Sequence, residues 1–354
     1  MKNLKQIILL TAVSLTLILA SCHKDTKVNP QPQAVTTGLY VLNQGLFNDN
    51  NSTLSFYSYS TKQVLPDIFS SANGHGLGDT GNDIEIYGSK TYIVVNVSST
   101  VEVINTKTAK SVGQIKLFNG VNPREPRDVV FYNGNAYVTS YDGTVAVIDT
   151  AALTVSKYIT VGRNPEQLAV ANGKLYVANS GGLDFPNYDK TVSVIDLNTQ
   201  TVTKTLNVVV NPQNVVADNY GHVYVLSAGD YTAANPSSLA IIDDNSDTVT
   251  SQTAFDGSGM TIQGDNIYFI TSLGKIKLYN AKSQAVTNQN FITDDSSITT
   301  PYSVNADPAT GEVFVTDAKD YASNGTLFVF DKTGKQEYSV TVGINPGKVA
   351  LIKN

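Results

Sequence analysis

Residues 144–180 read TVAVIDTAALTVSKYITVGRNPEQLAVANGKLYVANS, and this stretch decides the fold. It contains four short runs rich in Val, Ile, Thr and Tyr, and each run ends at a turn of Gly, Asn, Asp or Pro. Runs of this composition with these boundaries predict β-strands. Asn172-Gly173 is a strong hairpin signal, because a tight hairpin turn needs positive φ at both central residues. The stretch therefore predicts a four-stranded antiparallel meander that needs neighbours to bury its faces.

The same pattern recurs along the chain. The run LYVAN is one of seven similar runs, whose central aromatic residues are Tyr40, Tyr92, Tyr137, Tyr176, Tyr224, Tyr268 and Phe314. The run TVAVID is also one of seven, which begin at Thr53, Thr100, Thr144, Thr191, Ser238, Lys275 and Thr326. A period of about 40–50 residues built from four strands is typical of a β-propeller blade. We predict an all-β fold, a seven-bladed β-propeller with four antiparallel strands per blade.

The strand order also predicts how the ring closes. With strands labelled A to D from the axis outward, the first strand after residue 38 is of type B. The last strand, Gly347 to Ile352, is of type A. We expect this C-terminal strand to complete the blade formed by residues 39–69, which removes an exposed sheet edge. The other blades are expected to begin at Asn82, Arg127, Glu166, Gln213, Gly259 and Tyr302.

The N-terminus carries a targeting signal. Two lysines precede an apolar run from Ile7 to Leu19, which is too short to span a bilayer and predicts a secretory signal peptide. Leu19-Ala20-Ser21-Cys22 resembles a bacterial lipobox; an ordinary secretory signal is the alternative. We expect a signal peptide over 1–21, a lipidated Cys22 and flexible tether over 22–37, and the propeller over 38–354. The expected location is the outer membrane, lipid-anchored and exposed at the cell surface.

The composition limits the classes of partner and the covalent cross-links that this chain can have. The chain has 354 residues, a formal net charge of −6 and only 15% charged residues, with no basic stripe. Nucleic acid is therefore a poor candidate partner. Cys22 is the only cysteine, so no intrachain disulfide can form.

The loops predict where the protein binds. In an antiparallel meander the A–B and C–D turns lie at one rim and the B–C and D–A loops at the other. The A–B and C–D turns are short in this sequence, whereas the other rim carries the long insertions. Long loops on a rigid scaffold tend to carry function. The main insertions are residues 44–52, 70–81, 119–126, 179–190, 228–236, 293–301 and 318–325.

Two sets of residues on that rim are candidate ligand contacts. Exposed aromatic side chains with polar neighbours suit a planar or amphipathic ligand, because they bury area at a low entropy cost. The aromatic set is Phe47, Tyr141, Phe185, Tyr188, Tyr231 and Tyr321. The starts of the A strands should ring the axis and add Asn82, Arg127, Glu166, Gln213 and Tyr302, with Asp83, Asp128, Asn214, Ser258 and Asn345 nearby. For the aromatic residues the alternative is packing under their own loops. For Arg127 and Glu166 the alternative is that they pair with each other.

The Asn-Pro pairs at 122, 164, 211 and 345 are expected to form turns.

Catalytic and metal-binding patterns are weak. Apart from His23 in the expected tether, the histidines are His75, in a Gly-rich loop of the long-loop rim, and His222, which we expect to be exposed on the opposite rim. The run Asp243 to Asp247 lacks the Gly and Glu of a calcium loop and predicts a C–D turn. Carboxylates at Asp83, Asp128 and Glu166 could hold a cation, as in propeller lactonases. The chain has no Trp, which argues against the quinone-cofactor propellers. We expect no catalytic residues, no metal site and no cofactor.

Two resemblances extend this reading. The stretch that begins at Thr144 and the C-terminal TVGINPG resemble the YVTN (YncE-like) propeller repeats over nearly all of the mature chain. Residues 77–104 and 311–335 resemble lipidated surface propellers of gut-type Gram-negative bacteria, a group that contains the cobalamin-capturing BtuG lipoproteins. Those proteins lie over an outer-membrane TonB-dependent transporter and pass vitamin B12 to it. The resemblance implies a binding lipoprotein whose partners are a corrinoid ligand and such a transporter.

The leading hypothesis is a non-catalytic, anchored propeller that binds cobalamin as a ligand on the long-loop rim. A corrinoid offers a flat face to aromatic rings and peripheral amides to polar groups, although a glycan would also fit. The second hypothesis is a surface propeller whose rim binds a protein, with the aromatic residues in one broad, flat patch. The third is a metal-dependent enzyme of the lactonase or lyase kind.

Overall fold

The predicted fold is confirmed by a computed structural model, which describes residues 35–294 and 296–353. The chain forms seven four-stranded antiparallel sheets and one two-stranded sheet. The expectations for the signal peptide and for Cys22 lie outside the described residues. The first strand begins at Thr36, two residues before the expected start of the propeller.

Each blade is given with its strands in the order A, B, C and D. Blade 1 consists of β30 (Pro346–Lys353), β1 (Thr36–Asn43), β2 (Thr53–Ser58) and β3 (Gln63–Leu65). Blade 2 consists of β4 (Gly81–Tyr87), β5 (Lys90–Val95), β6 (Thr100–Asn105) and β7 (Ser111–Lys116). Blade 3 consists of β10 (Pro126–Tyr132), β11 (Asn135–Ser140), β12 (Thr144–Asp149) and β13 (Thr154–Thr160). Blade 4 consists of β14 (Pro165–Ala171), β15 (Lys174–Asn179), β16 (Thr191–Asp196) and β17 (Thr201–Asn207).

The remaining blades follow the same order. Blade 5 consists of β18 (Pro212–Ala217), β19 (His222–Ser227), β20 (Ser238–Asp243) and β21 (Thr248–Ala254). Blade 6 consists of β22 (Gly259–Gln263), β23 (Asn266–Ile270), β24 (Ile276–Asn280) and β25 (Ala285–Asn288). Blade 7 consists of β26 (Pro301–Ala306), β27 (Val313–Asp317), β28 (Asn324–Phe330) and β29 (Gln336–Ile344).

The C-terminal strand closes the ring, as predicted. Strand β30 pairs with β1 over almost its full length, from Thr36 opposite Lys353 to Asn43 opposite Pro346. Each A strand contacts the A strand of the next blade, and β30 contacts both β4 and β26. Both ends of the propeller therefore belong to one sheet, and β1 has a hydrogen-bonded neighbour on both of its edges.

The aromatic residue of the B strand joins neighbouring blades. The hydroxyl of Tyr40 donates to the carbonyl of Thr106, at 2.8 Å, and that of Tyr92 donates to the carbonyl of Thr150, at 3.3 Å. Both acceptors directly follow the C strand of the next blade. Buried polar groups need partners, so this bond satisfies the hydroxyl while the ring fills the core between two sheets.

Two elements were not predicted. The loop expected at residues 70–81 is preceded and partly formed by helix α1 (Ile68–Asn73). The Asp67 carboxylate accepts from the amide of Ser70 at its start, Gly74 ends it at φ 75°, and Phe69 is buried. A hairpin of β8 (Phe118–Asn119) and β9 (Asn122–Pro123) lies in the connection between blades 2 and 3.

Within residues 35–294 and 296–353, no helix has the length and apolar character needed to cross a membrane.

The long loops lie on one rim, as expected from the strand order. The A–B and C–D connections contain two to six residues. The B–C loops reach from 44 to 52 and from 180 to 190, and the D–A connections from 66 to 80 and from 289 to 300. We call the rim with these loops the loop rim and the opposite one the plain rim.

A residue with positive φ precedes five of the seven A strands. Asn164, Asn211 and Asn345 have φ of 44°, 60° and 52° and directly precede a proline, which confirms three of the four expected Asn-Pro turns. Asparagine tolerates the left-handed region better than most residues. The expectation for Asn122-Pro123 is wrong. That pair lies in β9, and Glu125, at φ 55°, makes the turn into β10 instead.

Candidate functional site

The starts of the A strands line the axis at the loop rim. Six of these seven strands have a register shift in their first residues, such as the one between Pro126 and Val129 in β10. A bulge re-aims side chains where a strand begins, so two successive residues of each strand contribute to the axis. The second residues are Asn82, Arg127, Glu166, Gln213, Tyr302 and Gly347, and in blade 6 the corresponding residue is Ser258, which directly precedes β22. The third residues are Asp83, Asp128, Gln167, Asn214, Ser303 and Lys348, and in blade 6 the corresponding residue is Gly259, the first of β22.

A cavity of about 370 Å³ opens at this end of the axis, and we call it the rim pocket. The structure brings seven of the eleven predicted ligand contacts to its wall: Asn82, Arg127, Tyr141, Glu166, Tyr188, Gln213 and Tyr231. The pocket combines a charged pair, amide groups and tyrosine rings. Its volume and mixed lining are typical of small-molecule sites.

Arg127 is held by a network on the pocket wall. Its Nε donates to Glu166 Oε2 at 2.9 Å and its Nη1 donates to Asn82 Oδ1. The guanidinium carbon lies 4.6 Å from the centre of the Tyr141 ring, and the Tyr141 hydroxyl donates to Glu166 Oε1 at 2.8 Å. The pairing of Arg127 with Glu166, left open by the sequence, is therefore present. The network joins blades 2, 3 and 4 and fixes the donors that face the pocket.

The ionisation states of this network follow from burial and charge. Burial opposes the charge of Arg127, but the Glu166 carboxylate outweighs it and the pKa of Arg127 is raised. Burial raises the pKa of Tyr141 well above its usual value. Arg127 is therefore a permanent cation and Tyr141 a neutral hydrogen-bond donor.

Lys348 occupies the centre of the axial carboxylates, and the sequence reasoning missed it. Its Nζ lies 2.5 Å from Asp83 Oδ1, 2.8 Å from Glu85 Oε1 and 4.0 Å from Asp128 Oδ1. Burial lowers the pKa of Lys348, but the three carboxylates outweigh this effect and the pKa is well above its usual value. An alignment of the A strands would have found it, because Lys348 stands where blades 2 and 3 have Asp83 and Asp128.

The carboxylates expected to surround a cation are divided between two networks. Asp83 and Asp128 face Lys348, whereas Glu166 pairs with Arg127. Each aspartate also accepts from the next blade: Asp83 Oδ2 from the amide of Val129 at 3.0 Å, and Asp128 Oδ2 from that of Leu168 at 3.2 Å. Among the described residues, no group of three or more His, Cys, Asp or Glu side chains has a geometry suited to a metal ion.

An axial channel continues from the rim pocket. It has a volume of about 460 Å³ and shares Asp128, Gln167, Asn214 and Lys348 with the pocket. Its walls are the inner faces of the A strands, where Glu85, Thr261 and Asn305 add polar groups. The rim pocket is thus the mouth of a polar channel.

The other four predicted contacts lie outside the rim pocket. Phe47, Phe185 and Tyr321 are exposed on the loop rim, with exposed fractions of 71%, 72% and 53%. Tyr302 lines the channel, and its hydroxyl donates to Gln44 Oε1. These residues are therefore not brought into the pocket itself.

The aromatic residues form two groups on the loop rim. The rings of Phe185, Tyr188 and Tyr231 follow one another edge to face, with centres 6.0 and 6.2 Å apart. The rings of Tyr302 and Tyr321 are 6.1 Å apart. The first group belongs to loops of blades 4 and 5 and the second to blade 7.

One expectation for the histidines is wrong. His222 is half-buried rather than exposed, because its Nδ1 bonds to Asp218 at 2.9 Å and its Nε2 lies 3.0 Å from Gln284 Nε2. His75 is exposed beside Gly76, as expected for a loop residue. The Asp243 side chain accepts from the amides of Asn245 and Ser246, so this segment is the predicted C–D turn.

These observations define the protein as a seven-bladed β-propeller with a polar pocket at the loop-bearing mouth of its axis. The family described as a domain of unknown function, DUF5074, matches residues 37–345. The chain belongs to this family. No curated protein matches this sequence.

Solved structures share the fold at low sequence identity. A quinonprotein alcohol dehydrogenase-like protein from Bacteroides thetaiotaomicron has a TM-score of 0.67 at 18% identity, over 90% of this chain and 79% of that chain. Hydrazine synthase from Kuenenia stuttgartiensis has a TM-score of 0.57 at 16% identity, over 69% and 74% of the two chains. The computationally designed Ika8 protein has a TM-score of 0.57 at 14% identity, over 90% and 96%. At these identities the similarity shows the fold alone.

Proposed function

We propose that this protein is a non-catalytic, lipid-anchored propeller of the outer membrane that captures cobalamin or a related corrinoid at the cell surface. The ligand binds at the rim pocket and passes to a TonB-dependent transporter. The observation that carries the proposal is the rim pocket itself. It gathers Arg127, Glu166, amide side chains and tyrosine rings at the end of the axis with the long loops.

The chemistry of the loop rim suits such a ligand. A corrinoid has a broad, flat face edged with amide groups. The amides of Asn82 and Gln213 and the charged pair in the pocket can bond to that edge, while Tyr188 and Tyr231 can cover part of the flat face. The exposed Phe185 beside them extends this apolar contact beyond the pocket. A hollow lined by such groups favours a small ligand over a partner that needs only a flat patch.

The topology suits capture from an anchored position. The B strand β1 begins at Thr36 on the plain rim, where it pairs with the end of β30 at Lys353. The N-terminal segment therefore joins the propeller at the end that has the short turns. The loop rim then stays free to meet a ligand.

Titration with cyanocobalamin tests the proposal. We expect binding at micromolar concentration or below, and a loss of at least about tenfold in the double variant Tyr188→Ala, Tyr231→Ala, because aromatic anchors dominate such contacts. Tyr220→Ala is the matched control, since Tyr220 is an exposed tyrosine on the plain rim. Absence of binding at micromolar concentration would refute the corrinoid assignment. Labelling with radioactive palmitate, expected for the natural chain and lost in Cys22→Ser, tests the anchor.

A further inference from the structure

Two B–C loops of the loop rim share the same conformation at an Asp-Tyr pair, which we call a tip. The B–C loop of blade 5 contains Asp230-Tyr231 and that of blade 7 contains Asp320-Tyr321. Both tyrosines have φ of 63°. In each loop the aspartate Oδ1 accepts from the amide two residues later, at 3.0 Å in blade 5 and 3.1 Å in blade 7. One arrangement thus occurs twice around the ring.

The backbone of these tips is unfavourable for the residue that it carries. Positive φ is uncommon outside glycine and asparagine, and for a bulky side chain it is an outlier. Such strain persists where the surrounding structure enforces it, and it clusters at binding sites. The two rings are also exposed, with exposed fractions of 72% for Tyr231 and 53% for Tyr321. Burial in a hydrophobic core therefore does not explain why tyrosine occupies these two positions.

The space between the tips is open. In blade 6, which separates them, the B–C connection spans only residues 271–275, and Leu273 on it is 82% exposed. A partner that contacts both tips can therefore rest on the apolar side chain between them. Exposed aromatic and aliphatic residues with a polar rim are typical of protein interaction surfaces.

The charges of the loop rim define the chemistry of that partner. Hydrogen bonds from Thr232 to Asp230, and from the amides of Ser323 and Ala322 to Asp320, lower the pKa of both carboxylates, that of Asp320 to about 2. Within the described residues neither Asp230 nor Asp320 forms a salt bridge, and the Nζ of Lys319, the residue before Asp320, donates to the carbonyl of Asn324. In the described loops of this rim, exposed carboxylates outnumber exposed cationic side chains. They are Asp49, Asp142, Asp184, Asp256, Asp294 and Asp320, against Arg163, Lys190 and Lys275.

We propose that the Asp230-Tyr231 and Asp320-Tyr321 tips are two matched contact points for a protein partner that presents arginine or lysine side chains. A guanidinium group can stack on a tyrosine ring and pair with the adjacent carboxylate, so each tip offers both halves of an arginine site. When one partner binds both tips, its contact with the first tip raises its effective concentration at the second tip. This inference goes beyond the proposed capture of a corrinoid and concerns a macromolecule.

Binding of a fluorescein-labelled nona-arginine peptide, followed by fluorescence anisotropy at low salt (~20 mM, where screening is weak), tests the charge. We expect the double variant Asp230→Asn, Asp320→Asn to bind about tenfold more weakly. The control is Asp243→Asn, Asp331→Asn, which changes two aspartates of similar turn geometry on the plain rim and should leave the affinity unchanged. An equal loss in both double variants, or none in either, would overturn the proposal. So would spermine binding as tightly as the peptide, because it would assign the tips to a small polyamine.

A second pair of changes separates a binding role from a structural one. Asparagine tolerates positive φ, so Tyr231→Asn, Tyr321→Asn should raise the melting temperature by about 1–2 °C while weakening peptide binding. A lower melting temperature with unchanged binding would show that the tyrosines serve the fold. The cyanocobalamin titration is a separate measurement, so failure of either proposal is seen independently of the other.

Discussion

At the scale of single residues, the axis of the propeller depends on Lys348. It is one cation among Asp83, Glu85 and Asp128, and it comes from the last strand of the chain. Two of these carboxylates also accept backbone amides of the next blade, so their positions are fixed with or without the lysine. The removal of the cation would leave charges that cannot move apart.

We predict that Lys348→Met destabilises the protein by about 3 kcal/mol, because an unpaired buried charge is far more costly than an absent ion pair. Chemical denaturation at pH 7 measures the change. Lys275→Met is the control, since Lys275 is exposed on a loop and should matter by less than about 0.5 kcal/mol. Equal stability of the two variants would show that the axial carboxylates do not need Lys348.

The pH dependence of that loss has a definite sign. Burial and the nearby Asp83 raise the pKa of Asp128 well above its usual value, so its proton is retained in the folded state at higher pH than in the unfolded chain. Protonation relieves the crowding of carboxylates. The difference between natural protein and Lys348→Met should therefore shrink as the pH falls from 7 toward the unfolded-state pKa of about 3.9.

At the scale of strands and turns, the repeat is made of contacts between neighbours. The B-strand tyrosine spans the gap to the next blade, which is why it recurs while the loops vary. Burial raises the pKa of Tyr40 to about 12 and of Tyr92 to about 12, so their hydroxyl groups stay protonated and donate.

We predict that Tyr40→Phe and Tyr92→Phe each cost about 1 kcal/mol, since each leaves a buried carbonyl of the next blade without its donor. Guanidinium denaturation measures the change. Tyr158→Phe is the control, because the Tyr158 ring packs under Arg124 while its hydroxyl takes part in no hydrogen bond within the described residues. A loss as large in Tyr158→Phe would show that the cost does not come from the hydrogen bond to the next blade.

The aspartates of the C–D turns lead to a second prediction at the scale of strands and turns. Asp149, Asp196 and Asp243 end C strands, and hydrogen bonds from the backbone amides that follow lower the pKa of each carboxylate. Such a group stabilises the fold above its unfolded pKa of about 3.9, and the contribution is lost as the pH falls through the lower, folded value. The melting temperature should therefore fall between about pH 5 and pH 2.

The triple variant Asp149→Asn, Asp196→Asn, Asp243→Asn should show a smaller fall, because an amide oxygen accepts the same bonds without titrating. Asp49→Asn, on an exposed loop, should leave the slope of the natural protein unchanged. Parallel curves for the triple variant and the natural protein would contradict this account of the turns.

At the scale of the whole molecule, closure of the ring joins the two ends. Deletion of residues 346–354 removes β30, so β1 keeps its pairing with β2 but loses the hydrogen-bonding partner of its inner edge. We predict that this variant loses its cooperative thermal transition and aggregates, because an exposed inner edge pairs with other chains. Calorimetry and size-exclusion chromatography measure both effects.

A circular permutant is the matched control. Thr36 and Lys353 are paired, so a short linker can join the ends while the chain is opened at the Gly264-Asp265 turn. This variant keeps every strand and should remain a folded monomer. A truncated protein that melted like the permutant would show that β30 is dispensable.

Much of the fold was predictable because it is local and repeated. Alternating apolar residues, Asn-Gly turns and the recurring aromatic residue predict four strands per blade seven times over, and the strand types at the two ends predict the closure. Helix α1 was missed because six residues with one buried side chain, Phe69, carry too weak a pattern. His222 was misplaced because its burial depends on Gln284, a residue of the next blade.

The candidate site was predictable only in part. The strand order located the rim, and seven of the proposed residues line one pocket. An alignment of the A strands places Lys348 at the axis, but its contacts with Asp83 and Asp128 depend on how blades distant in sequence meet. The twin tyrosine tips depend on backbone angles that no residue pattern reports.

The sequence by itself determined the number of blades, the manner of closure and the rim with the long loops, because each follows from the order and period of short strands. Only the tertiary structure decided which side chains meet at the axis. It set Lys348 among carboxylates from blades 2 and 3 and left Phe47 and Phe185 outside the pocket. The reason is physical: a strand is specified by its own residues, but a charge or a ring acquires its role from groups that another part of the chain brings beside it.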